Sequence, residues 1–510
     1  QKVSAMSIVG LDIGTTGVKA VVFREDGTFL TAPYREYDLE SPKHGHLELN
    51  PNEVLDAVRE VLGKAAAETK DDPIRSLATS TLGEAMVPVD GENRPLGNAI
   101  IGFDARGQES VPLLSEKLTD REVFDIAGHG INSFHSIFKL LWRRDHDPEV
   151  FSRTRKFLSF GDFIQASLGI EPHIDYSMAS RTLAFDVRKL DWSPEILDAV
   201  GLSSELLPPV AAPGTNLGTL GANDLGLPPD CVVAAGLHDQ PAGILGAGIQ
   251  PGESMLATGT VICLGVHLEG LPEAQAMVEN NLCYYPTLGE GQYISIAYNF
   301  TGGSLLKWYR DNLAGDEIPE AKDCGKDPYD IICSGLPENP TDLLVLPHFA
   351  TTGTPWLDDR ALGAILGMRL TTTRKEVVKA ILEGLLHEIR LNSEIYAQAG
   401  VDIQLYKAIG GASRSETWMQ IAADILGRPV AILAINEVPG VGAAATGALA
   451  AGILANEGEL NDFIAGCSEI TRVLEPRAEQ TRLYDERFAI YRDLYPATSD
   501  ITHRLFALGE

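Results

Sequence analysis

The chain has 510 residues, of which 44% are hydrophobic and 22% charged, as in an ordinary globular protein. Because single hydrophobic cores stop growing at about 250–300 residues, we expect two or more domains. The 41 basic and 71 acidic residues give a net charge of −30, which repels phosphate backbones and disfavours nucleic acid as a partner. The six cysteines form no C-x-x-C pair, which favours a reduced, cytoplasmic setting over a disulfide framework.

Two segments bear on targeting. Residues 1–9 lack the basic start and the long apolar core of a signal peptide, and we interpret Gln1 to Ala5 as a cloning remnant before Met6. Residues 440–455 are mostly Ala and Gly, and are too few and too weakly apolar for a membrane span of about 20 residues. We expect no membrane partner, and we interpret this stretch as a closely packed buried helix.

The first folded segment, "GLDIGTTGVKAVVF" at residues 10–23, predicts a strand, a tight turn and a second strand. It is not a Walker A loop, because no Gly-Lys-Ser/Thr leads into a helix. Asp12 lies near the end of the first strand. Backbone N–H groups of the turn can converge on an anion, and an ordinary hairpin is the alternative. The turn consists of Gly14, Thr15, Thr16 and Gly17.

Strand-like runs and helical patterns alternate through the first half, which is typical of an α/β fold. The runs are residues 76–81, 87–90 and 232–236, and the helical patterns are residues 53–64 and 162–168. A Pro-Gly pair precedes a fresh strand-like run at residues 254–266, so we place the boundary between domains 1–249 and 250–510. That run contains "MLATGTVICLGV", an echo of the first hairpin that suggests an internal duplication. Helical patterns follow at residues 373–396, 415–426 and 442–454.

A carboxylate is set in a small, apolar frame in "AAGLHDQPAGILGAG", residues 234–248. Charged residues are almost never buried without a partner, so Asp239 is a candidate general base. The alternative is that Asp239 caps the helix that follows, with Pro241 in its first turn.

Two further turns contain paired glycines. "TGGSLLKWYRD", residues 301–311, has Gly302-Gly303 before a predicted helix. "AIGGASRSETWMQIAADILGRPV", residues 408–430, has Gly410-Gly411-Ala412 at a strand end. There Ser413 or Ser415 can cap a helix that starts near Glu416. Such turns let a flat ring approach the backbone, and a plain strand-to-helix connection is the alternative.

Taken in this order, the motifs resemble the FGGY family of carbohydrate kinases, over essentially the whole chain. "LHDQPAGILGAG" is similar to the family's catalytic-base segment, "ATGT" to its second phosphate hairpin and "IGGASRS" to its adenosine region. "GAILGMRLTTTRKEVVKAILEG", residues 363–384, fits the C-terminal signature, and residues 175–193 resemble the segment between the sugar-binding and base regions.

The resemblance implies an α/β fold of two ribonuclease-H-like (actin-like ATPase) domains, with the active site in the cleft between them. It implies Asp239 as general base, and Asp12 and Asp239 as the residues that hold Mg²⁺ through its water shell. It also implies an ATP site. The residues implied to contact ATP are Gly14, Thr15, Thr16, Lys19, Gly259, Thr260, Gly302, Gly303, Gly410, Gly411 and Ala412.

The implied sugar site departs from the best-known members. Leu82-Gly83-Glu84-Ala85 stands where xylulokinases tend to have Gln-Met-His-Gly, and glycerol kinases have an Arg-Glu pair there, so Gly83 replaces the arginine. "FDAR", residues 103–106, keeps an Asp and an Arg, for which a loop ion pair is the alternative interpretation. The implied sugar contacts are Glu84, Ala85, Asp104, Arg106, Asp239 and Gln240.

We therefore predict an ATP-dependent kinase of a small-molecule sugar or polyol resembling a ketopentose or ketohexose. A glycerol-like or erythritol-like polyol, or gluconate, is the alternative acceptor. A non-catalytic regulator of actin-like fold is disfavoured because Asp12, Asp239 and both hairpins are present, and a chaperone ATPase because no segment remains for peptide binding. The acceptor, its reacting hydroxyl and the oligomeric state, with a homodimer among the options, stay open.

Overall fold

The computed structural model describes residues 6–43, 45–272, 274–289 and 291–509. The segment from Gln1 to Ala5, which the sequence suggests is a cloning remnant, lies outside the described residues. Within those described ranges, no helix is long and apolar enough to cross a bilayer.

The strands are short in both halves of the chain. Those before residue 250 are β1 (Ser7–Ile13), β2 (Gly17–Arg24), β3 (Phe29–Thr31), β4 (Tyr34–Glu36), β5 (Glu48–Leu49), β6 (Ile74–Thr81), β7 (Met86–Val89), β8 (Ala99–Ile100), β9 (Lys156–Ser159), β10 (Ile174–Asp175), β11 (Phe185–Asp186), β12 (Asp191–Trp192), β13 (Val210–Ala211), β14 (Asn216–Thr219), β15 (Val232–Ala234) and β16 (Leu237–His238). Those after it are β17 (Glu253–Thr258), β18 (Ile262–Glu269), β19 (Tyr285–Pro286), β20 (Gln292–Asn299), β21 (Leu344–Leu346), β22 (Ala364–Leu366), β23 (Leu405–Ile409), β24 (Val430–Leu433) and β25 (Ile470–Leu474).

Helices connect these strands in both halves. Those before residue 250 are α1 (Pro51–Glu68), α2 (Val111–Ser115), α3 (Asp120–Ala127), α4 (Ser136–His146), α5 (Pro148–Arg153), α6 (Phe160–Ser167), α7 (Tyr176–Ser180), α8 (Pro194–Val200) and α9 (Asp239–Gly246). Those after it are α10 (Ala274–Glu279), α11 (Gly303–Leu313), α12 (Glu317–Cys324), α13 (Pro328–Ile332), α14 (Arg374–Gln398), α15 (Glu416–Leu426), α16 (Val438–Ala450), α17 (Glu457–Cys467) and α18 (Ala478–Gly509).

The two halves contain sheets of the same design. In the first, the order is β14-β15-β6-β1-β2-β3, with β1 antiparallel to β2 and parallel to β6. In the second, the order is β19-β20-β18-β17-β23-β24-β25, with β17 antiparallel to β18 and parallel to β23. Each half thus starts with a hairpin beside parallel strands, which is the repetition that the echo at residues 255–266 suggests.

Each sheet is covered by helices whose apolar faces form its core. Helix α1 begins at Asn50, whose side chain accepts a hydrogen bond from the N–H of Asn52, and it buries Val54, Val58 and Val61. In the second half, helix α14 begins with a capping box between Thr373 and Glu376 and is buried along most of its length. These caps fix where the long helices start, and the sheets between them are held rigidly.

Helix α16 crosses between the halves and packs against β1 and α9. A Cβ at Gly246 would lie 1.9 Å from the carbonyl oxygen of Val438, and one at Gly442 would lie 2.0 Å from that of Ala242. Only glycine permits this approach of two helix backbones. The small residues at 440–455 therefore serve packing, as a closely packed buried helix requires.

The predicted elements exist with shifted ends. The strands predicted at residues 76–81, 87–90 and 232–236 are β6, β7 and β15, and the helices predicted at residues 53–64, 162–168 and 373–396 are α1, α6 and α14. The pattern at residues 442–454 starts four residues late, since α16 begins at Val438 with Pro439 in its first turn. Ser415, not Ser413, caps α15.

Candidate active site

Three parallel strands of the first sheet end at the same edge. Ile13 of β1 and His238 of β16 are both in register with Thr81 of β6. Residues at these three ends are therefore neighbours, and ligands of open α/β sheets bind outside such carboxyl ends. This edge presents Asp12, Glu84 and Asp239 to the space between the two sheets.

A cavity of about 180 Å³ opens at this edge. Residues from both halves form its wall: Thr15, Leu82, Gly83, Glu84, Ile101, Gly102, Phe103, Phe134, Arg181, His238, Asp239, Gln240, Val261, Cys263, Ile296, Tyr298 and Phe300. Of the predicted sugar residues, Glu84, Asp239 and Gln240 are in this wall. Thr15 of the first hairpin reaches it as well, so the predicted phosphate and acceptor sites adjoin.

Asp239 is the first residue of α9, and it lies at the floor of the cavity. The N-cap of α9 is the preceding residue, His238, and its side chain makes no capping hydrogen bond. Asp239 is therefore not the N-cap residue, as the alternative interpretation had it. Burial, followed by the negative charges of Asp12 and Glu84, raises the pKa of Asp239 to about 7. A carboxyl group with such a pKa exchanges a proton readily near neutral pH.

The imidazole of His238 lies against this carboxylate, with Nε2 3.1 Å from Oδ1 of Asp239. Burial, together with the positive charge of Arg181, keeps the pKa of His238 well below its usual range, so the ring is neutral. Its Nδ1 lies 3.3 Å from the hydroxyl oxygen of Tyr285, and Ser177 Oγ accepts a hydrogen bond from its backbone N–H at 2.8 Å. Both contacts fix the residue from which α9 starts.

Glu84 and Arg181 form an ion pair in the wall of the same cavity. Nε of Arg181 donates to Oε1 of Glu84 at 2.5 Å, and Nη2 contacts the same oxygen. Although burial opposes it, the charge of Glu84 holds the pKa of Arg181 above its usual range. Glu84 has φ of +62°, a left-handed conformation that non-glycine residues rarely adopt outside functional sites.

Aromatic side chains close the outer end of the cavity. Phe103 comes from the first half and Phe300 from the second, and their rings meet edge to face at 6.1 Å between centroids. Tyr298 packs edge to face on Phe300 at 5.1 Å. The three rings form an apolar part of the cavity wall.

The first hairpin is a rigid, open turn beside Asp12. The N–H of Gly14 donates to the carbonyl of Gly17 at 2.9 Å, and the hydroxyl of Tyr37 donates to the carbonyl of Gly14 at 2.6 Å. Thr16 at its tip is exposed. Ser80 Oγ donates to Oδ1 of Asp12 at 2.9 Å, yet burial still raises the pKa of Asp12 to about 6.

Lys19, a predicted phosphate contact, lies on β2 and pairs with a residue of the second half. Its Nζ is 3.1 Å from Oε1 of Glu437, the residue before α16. The ion pair joins the two halves next to the first hairpin.

The second hairpin, whose turn contains Gly259 and Thr260, is supported by the Gly302-Gly303 turn. The N–H of Gly302 donates to the carbonyl of Thr260 at 2.9 Å, and that of Gly303 donates to the carbonyl of Gly259 at 2.8 Å. A Cβ at Gly302 would lie 2.5 Å from the backbone of Val261. Gly259 and Thr260 are exposed, so the Gly302-Gly303 turn holds an open hairpin in place.

The other glycine pair follows β23, which is parallel to β17 and ends beside it. Gly410 has φ of +92°, and a Cβ there would lie 2.9 Å from the carbonyl oxygen of Thr258. Gly411 is exposed, with no atom within 4 Å of where its Cβ would lie, and Ala412 is half-buried. Both predicted nucleotide turns thus lie at one edge of the second sheet, beside Gly259.

Three predicted sugar residues are not brought to the cavity wall. Ala85 is fully buried in the core of the first half. Arg106 donates from Nε to Oδ1 of Asp104 at 2.9 Å and from Nη1 to Oε1 of Glu48 at 2.6 Å, and the N–H of Leu47 donates to Oδ2 of Asp104 at 2.6 Å. Asp104 and Arg106 form the loop ion pair considered as the alternative, with their polar atoms engaged by protein, and their contact with a sugar stays a prediction.

Sequence reasoning missed Arg181, His238 and the aromatic wall as site residues. Arg181 is the sole charged residue between positions 176 and 185, a stretch of small and apolar residues. A lone charge in a buried stretch needs a partner, and this signal could have identified it. The aromatic wall gave no comparable signal, because Phe103 and Phe300 come from opposite halves of the chain.

The carboxylates at the cleft edge fit a magnesium ion. Within the described ranges, no three His, Cys, Asp or Glu side chains converge into an all-protein metal cage. Mg²⁺ is usually held by one or two carboxylates together with phosphate oxygens and water. Asp12 and Asp239 are a donor set of this kind, and the charge of Asp12 helps to raise the pKa of Asp239.

The fold and this site define an ATP-dependent phosphotransferase with two actin-like ATPase domains. Residues 7–246 match the FGGY family of carbohydrate kinases, N-terminal domain, and residues 255–451 match its C-terminal domain. The chain belongs to the FGGY family of carbohydrate kinases.

Similar proteins cover nearly the whole chain. A xylulose kinase of Bacillus subtilis is 26% identical over 507 residues, covering 98% of each chain. A gluconokinase of the same organism is 26% identical over 485 residues, covering 93% of this chain and 94% of that one. The crystal structure of xylulose kinase from Rhodospirillum rubrum has a TM-score of 0.86 at 25% identity, covering 98% of this chain and 100% of that chain.

Proposed function

We propose that this kinase transfers the γ-phosphate of ATP to a hydroxyl of a sugar or polyol, with Asp239 as general base. A ketopentose-like acceptor is the main candidate, as in the xylulose kinases it resembles; a polyol or gluconate is the alternative. The observation that carries the proposal is the half-buried carboxyl of Asp239, whose pKa is raised to about 7 in a cavity that adjoins the first hairpin.

The proton transfer follows from the position of this carboxylate. The hydroxyl oxygen forms the new bond to the γ-phosphorus while the bond from that phosphorus to the β,γ-bridging oxygen breaks, which releases ADP. The hydroxyl proton passes to Asp239, which must be ionised to accept it. His238, neutral and 3.1 Å from Oδ1, supports the carboxylate from the side away from solvent.

The two hairpins would hold the phosphates from either side of the cleft. Backbone N–H groups at Thr15, Thr16 and Thr260 suit an anion, because they lie in open turns, whereas those of Gly14 and Gly259 close the turns. Asp12 and Asp239 would hold Mg²⁺, which neutralises charge on the transferring phosphoryl group when bound. Gly410, Gly411 and Ala412 would line the nucleotide.

Water must be kept out of the site, because it competes with the sugar as acceptor. The contact between Phe103 and Phe300 joins the two halves over the cavity, and the Lys19–Glu437 pair joins them beside the first hairpin. Closure of the halves around the acceptor would bury both contacts.

The domain boundary, the cellular setting and the oligomeric state belong to the proposal as well. The boundary near residue 250 falls between α9 and β17, where the second hairpin begins. All six cysteines are free thiols, which accords with a reduced, cytoplasmic setting. A homodimer remains an expectation to be measured by sedimentation.

An acceptor panel tests the proposed function. The purified chain is incubated with Mg·ATP and, separately, ketopentoses, ketohexoses, polyols and aldonates, and ADP release is recorded. We expect release that depends on the acceptor, with one phosphorylated product by ³¹P NMR. ADP release at the same rate without any acceptor, or none with the whole panel, would overturn the assignment.

A further inference from the structure

We infer that the Glu84–Arg181 pair makes this cavity select an uncharged acceptor, a neutral sugar or polyol, over a sugar acid. The inference rests on the proposed function and names the class of acceptor. The cation of this wall is Arg181, which pairs with Glu84 from 97 positions further along the chain.

Arg181 is held on several sides, which fixes the guanidinium in the wall. Nη1 lies 3.3 Å from Nε2 of His129, and its plane covers the ring of Phe134 at 5.1 Å. Nδ1 of His129 lies 3.0 Å from the carbonyl oxygen of Ala127, so it carries the ring proton and Nε2 accepts from Arg181. Burial lowers the pKa of His129 to about 3, which keeps this acceptor unprotonated.

Two glycines lie beside the pair. A Cβ at Gly83 would lie 2.9 Å from Nε2 of His238 and 3.5 Å from Nε of Arg181, and one at Gly102 would lie 2.7 Å from Oε2 of Glu84. A side chain at position 102 would displace Glu84, whereas one at position 83 would press on His238 and make only an ordinary contact with Arg181. The glycine at position 102 is therefore the one that gives the pair its room, and the glycine at position 83 gives room to His238.

The pair keeps hydrogen-bonding capacity for a ligand. Both Nε and Nη2 of Arg181 contact Oε1 of Glu84, whereas Oε2 accepts no hydrogen bond from the described part of the chain. A guanidinium has five N–H donors, and Glu84 and His129 engage only some of them. A hydroxyl can donate to Oε2 and also accept from the guanidinium, which suits vicinal hydroxyls.

The charges of the wall disfavour an anion. Its charged side chains, among the residues described, are Glu84, Arg181 and Asp239. Glu84 neutralises Arg181, and His238 is neutral, so the remaining charge is the negative one of Asp239 when ionised. A carboxylate in this cavity would be desolvated without a free cation to pair with.

The experiment compares kcat/KM for D-xylulose, xylitol and D-gluconate in the wild type, Glu84→Gln and Arg181→Gln. We expect the better neutral acceptor to exceed gluconate by ~100-fold or more in the wild type. Glu84→Gln removes the charge that neutralises Arg181. The ratio of kcat/KM for gluconate to that for the better neutral acceptor should then rise at least ~10-fold. Arg181→Gln should lower kcat/KM for the neutral acceptor by ~10–100-fold, the effect of hydrogen bonds to charged groups, without a gain for gluconate.

Arg477→Gln is the matched control, since it breaks the arginine's pair with the buried Asp424, outside the cavity wall, and should leave the ratio of kcat/KM for gluconate to that for the neutral acceptor unchanged. Gly102→Ala displaces Glu84 without removing its charge, and should lower neutral activity without the shift toward gluconate. Preference of the wild type for gluconate, or an unchanged ratio in folded Glu84→Gln, would overturn the inference. Calorimetric titration with the same three compounds measures the preference for a neutral acceptor without turnover. A protein that binds xylulose in preference to gluconate but releases no ADP would therefore contradict only the proposed function.

Discussion

Two buried arginine–carboxylate pairs lie close to each other in the first half, and they differ in how fully protein satisfies them. In the Asp104–Arg106 pair, both carboxylate oxygens accept hydrogen bonds, and Nη1 of Arg106 donates to Glu48. In the Glu84–Arg181 pair, the contacts concentrate on one carboxylate oxygen, and both residues line the cavity.

The difference separates a structural ion pair from one that is available to a ligand. A buried charge is expensive unless it is paired and hydrogen-bonded, so a saturated pair stabilises its loop. An incompletely satisfied pair is tolerated where a substrate completes it. Residue type alone does not distinguish the two, because each consists of an arginine and an acidic residue.

The largest expected effect is a loss of kcat, and it should distinguish two carboxylates. Asp239 lies in the cavity wall with Glu84 and Arg181, and Asp104 belongs to the other pair. Asp239→Asn removes the proton acceptor and should lower kcat by more than ~10²-fold, the lower range for general-base removal. ATP binding, measured by calorimetry, should persist because the base contacts the acceptor. Asp104→Asn is the control and should leave kcat of the folded enzyme within about twofold. Near-normal turnover in Asp239→Asn would exclude it as the base.

Asp239→Asn should also stabilise the fold at alkaline pH. Its pKa is raised from 3.8 to about 7, so the stability that the protonated form contributes is present below the unfolded value and is lost as pH rises through about 7. At pH 8, the variant should therefore unfold at a higher temperature than the wild type, by ~1–3 °C. At pH 4, the two should unfold at similar temperatures.

The second comparison measures thermal stability instead of activity. Here we expect the larger effect from breaking the Asp104–Arg106 pair, because protein groups satisfy that pair fully. Arg106→Gln leaves the buried carboxylate of Asp104 and the half-buried one of Glu48 without their partner, a change that costs about 3–5 kcal/mol. The unfolding temperature should fall by ~5–10 °C, whereas kcat/KM measured below that temperature should be near normal. An unchanged unfolding temperature would show that the Asp104–Arg106 pair does not stabilise the loop.

The smallest effect concerns the phosphate side, which neither pair touches. Thr16 is exposed at the tip of the first hairpin, so Thr16→Trp should leave the fold intact and obstruct the phosphates. KM for ATP should rise by ~2–10-fold, the loss of one ordinary hydrogen bond, while binding of the acceptor without ATP is unchanged. Lys64→Trp, on the outer surface of α1, is a control of the same size. Unaltered ATP kinetics in a folded Thr16→Trp would remove the hairpin from the phosphate site.

Much of the fold follows from local sequence. The hairpins, α1 and α14 were predictable because β-branched runs, caps and apolar periodicity are local properties. The start of α16 was misplaced because its glycines and alanines give no amphipathic pattern, being buried all round against β1 and α9. Packing between the halves determines that helix, and a local pattern does not encode packing between distant segments.

The site was predictable where one motif carries the chemistry and not where distant residues combine. Asp12, Glu84 and Asp239 lie at or just after strand ends, and parallel strands bring such residues to one edge. Arg181, just after a short helix, reaches Glu84 across 97 residues of chain. The pairing of Arg106 with Asp104 could be named from the sequence only as one of two alternatives, since a loop Asp-x-Arg suits either a ligand or a salt bridge.

The pH dependence of kcat/KM for the best acceptor tests the central claim most directly, because the base must be ionised to act. We expect activity to rise through about pH 7, following the pKa of Asp239. Because the charge of Glu84 helps to raise that pKa, the rise should move to lower pH in Glu84→Gln and stay in place in Arg106→Gln. A profile that is flat from about pH 5.5 to 8, or one that shifts equally in both variants, would contradict Asp239 as the base of this cavity.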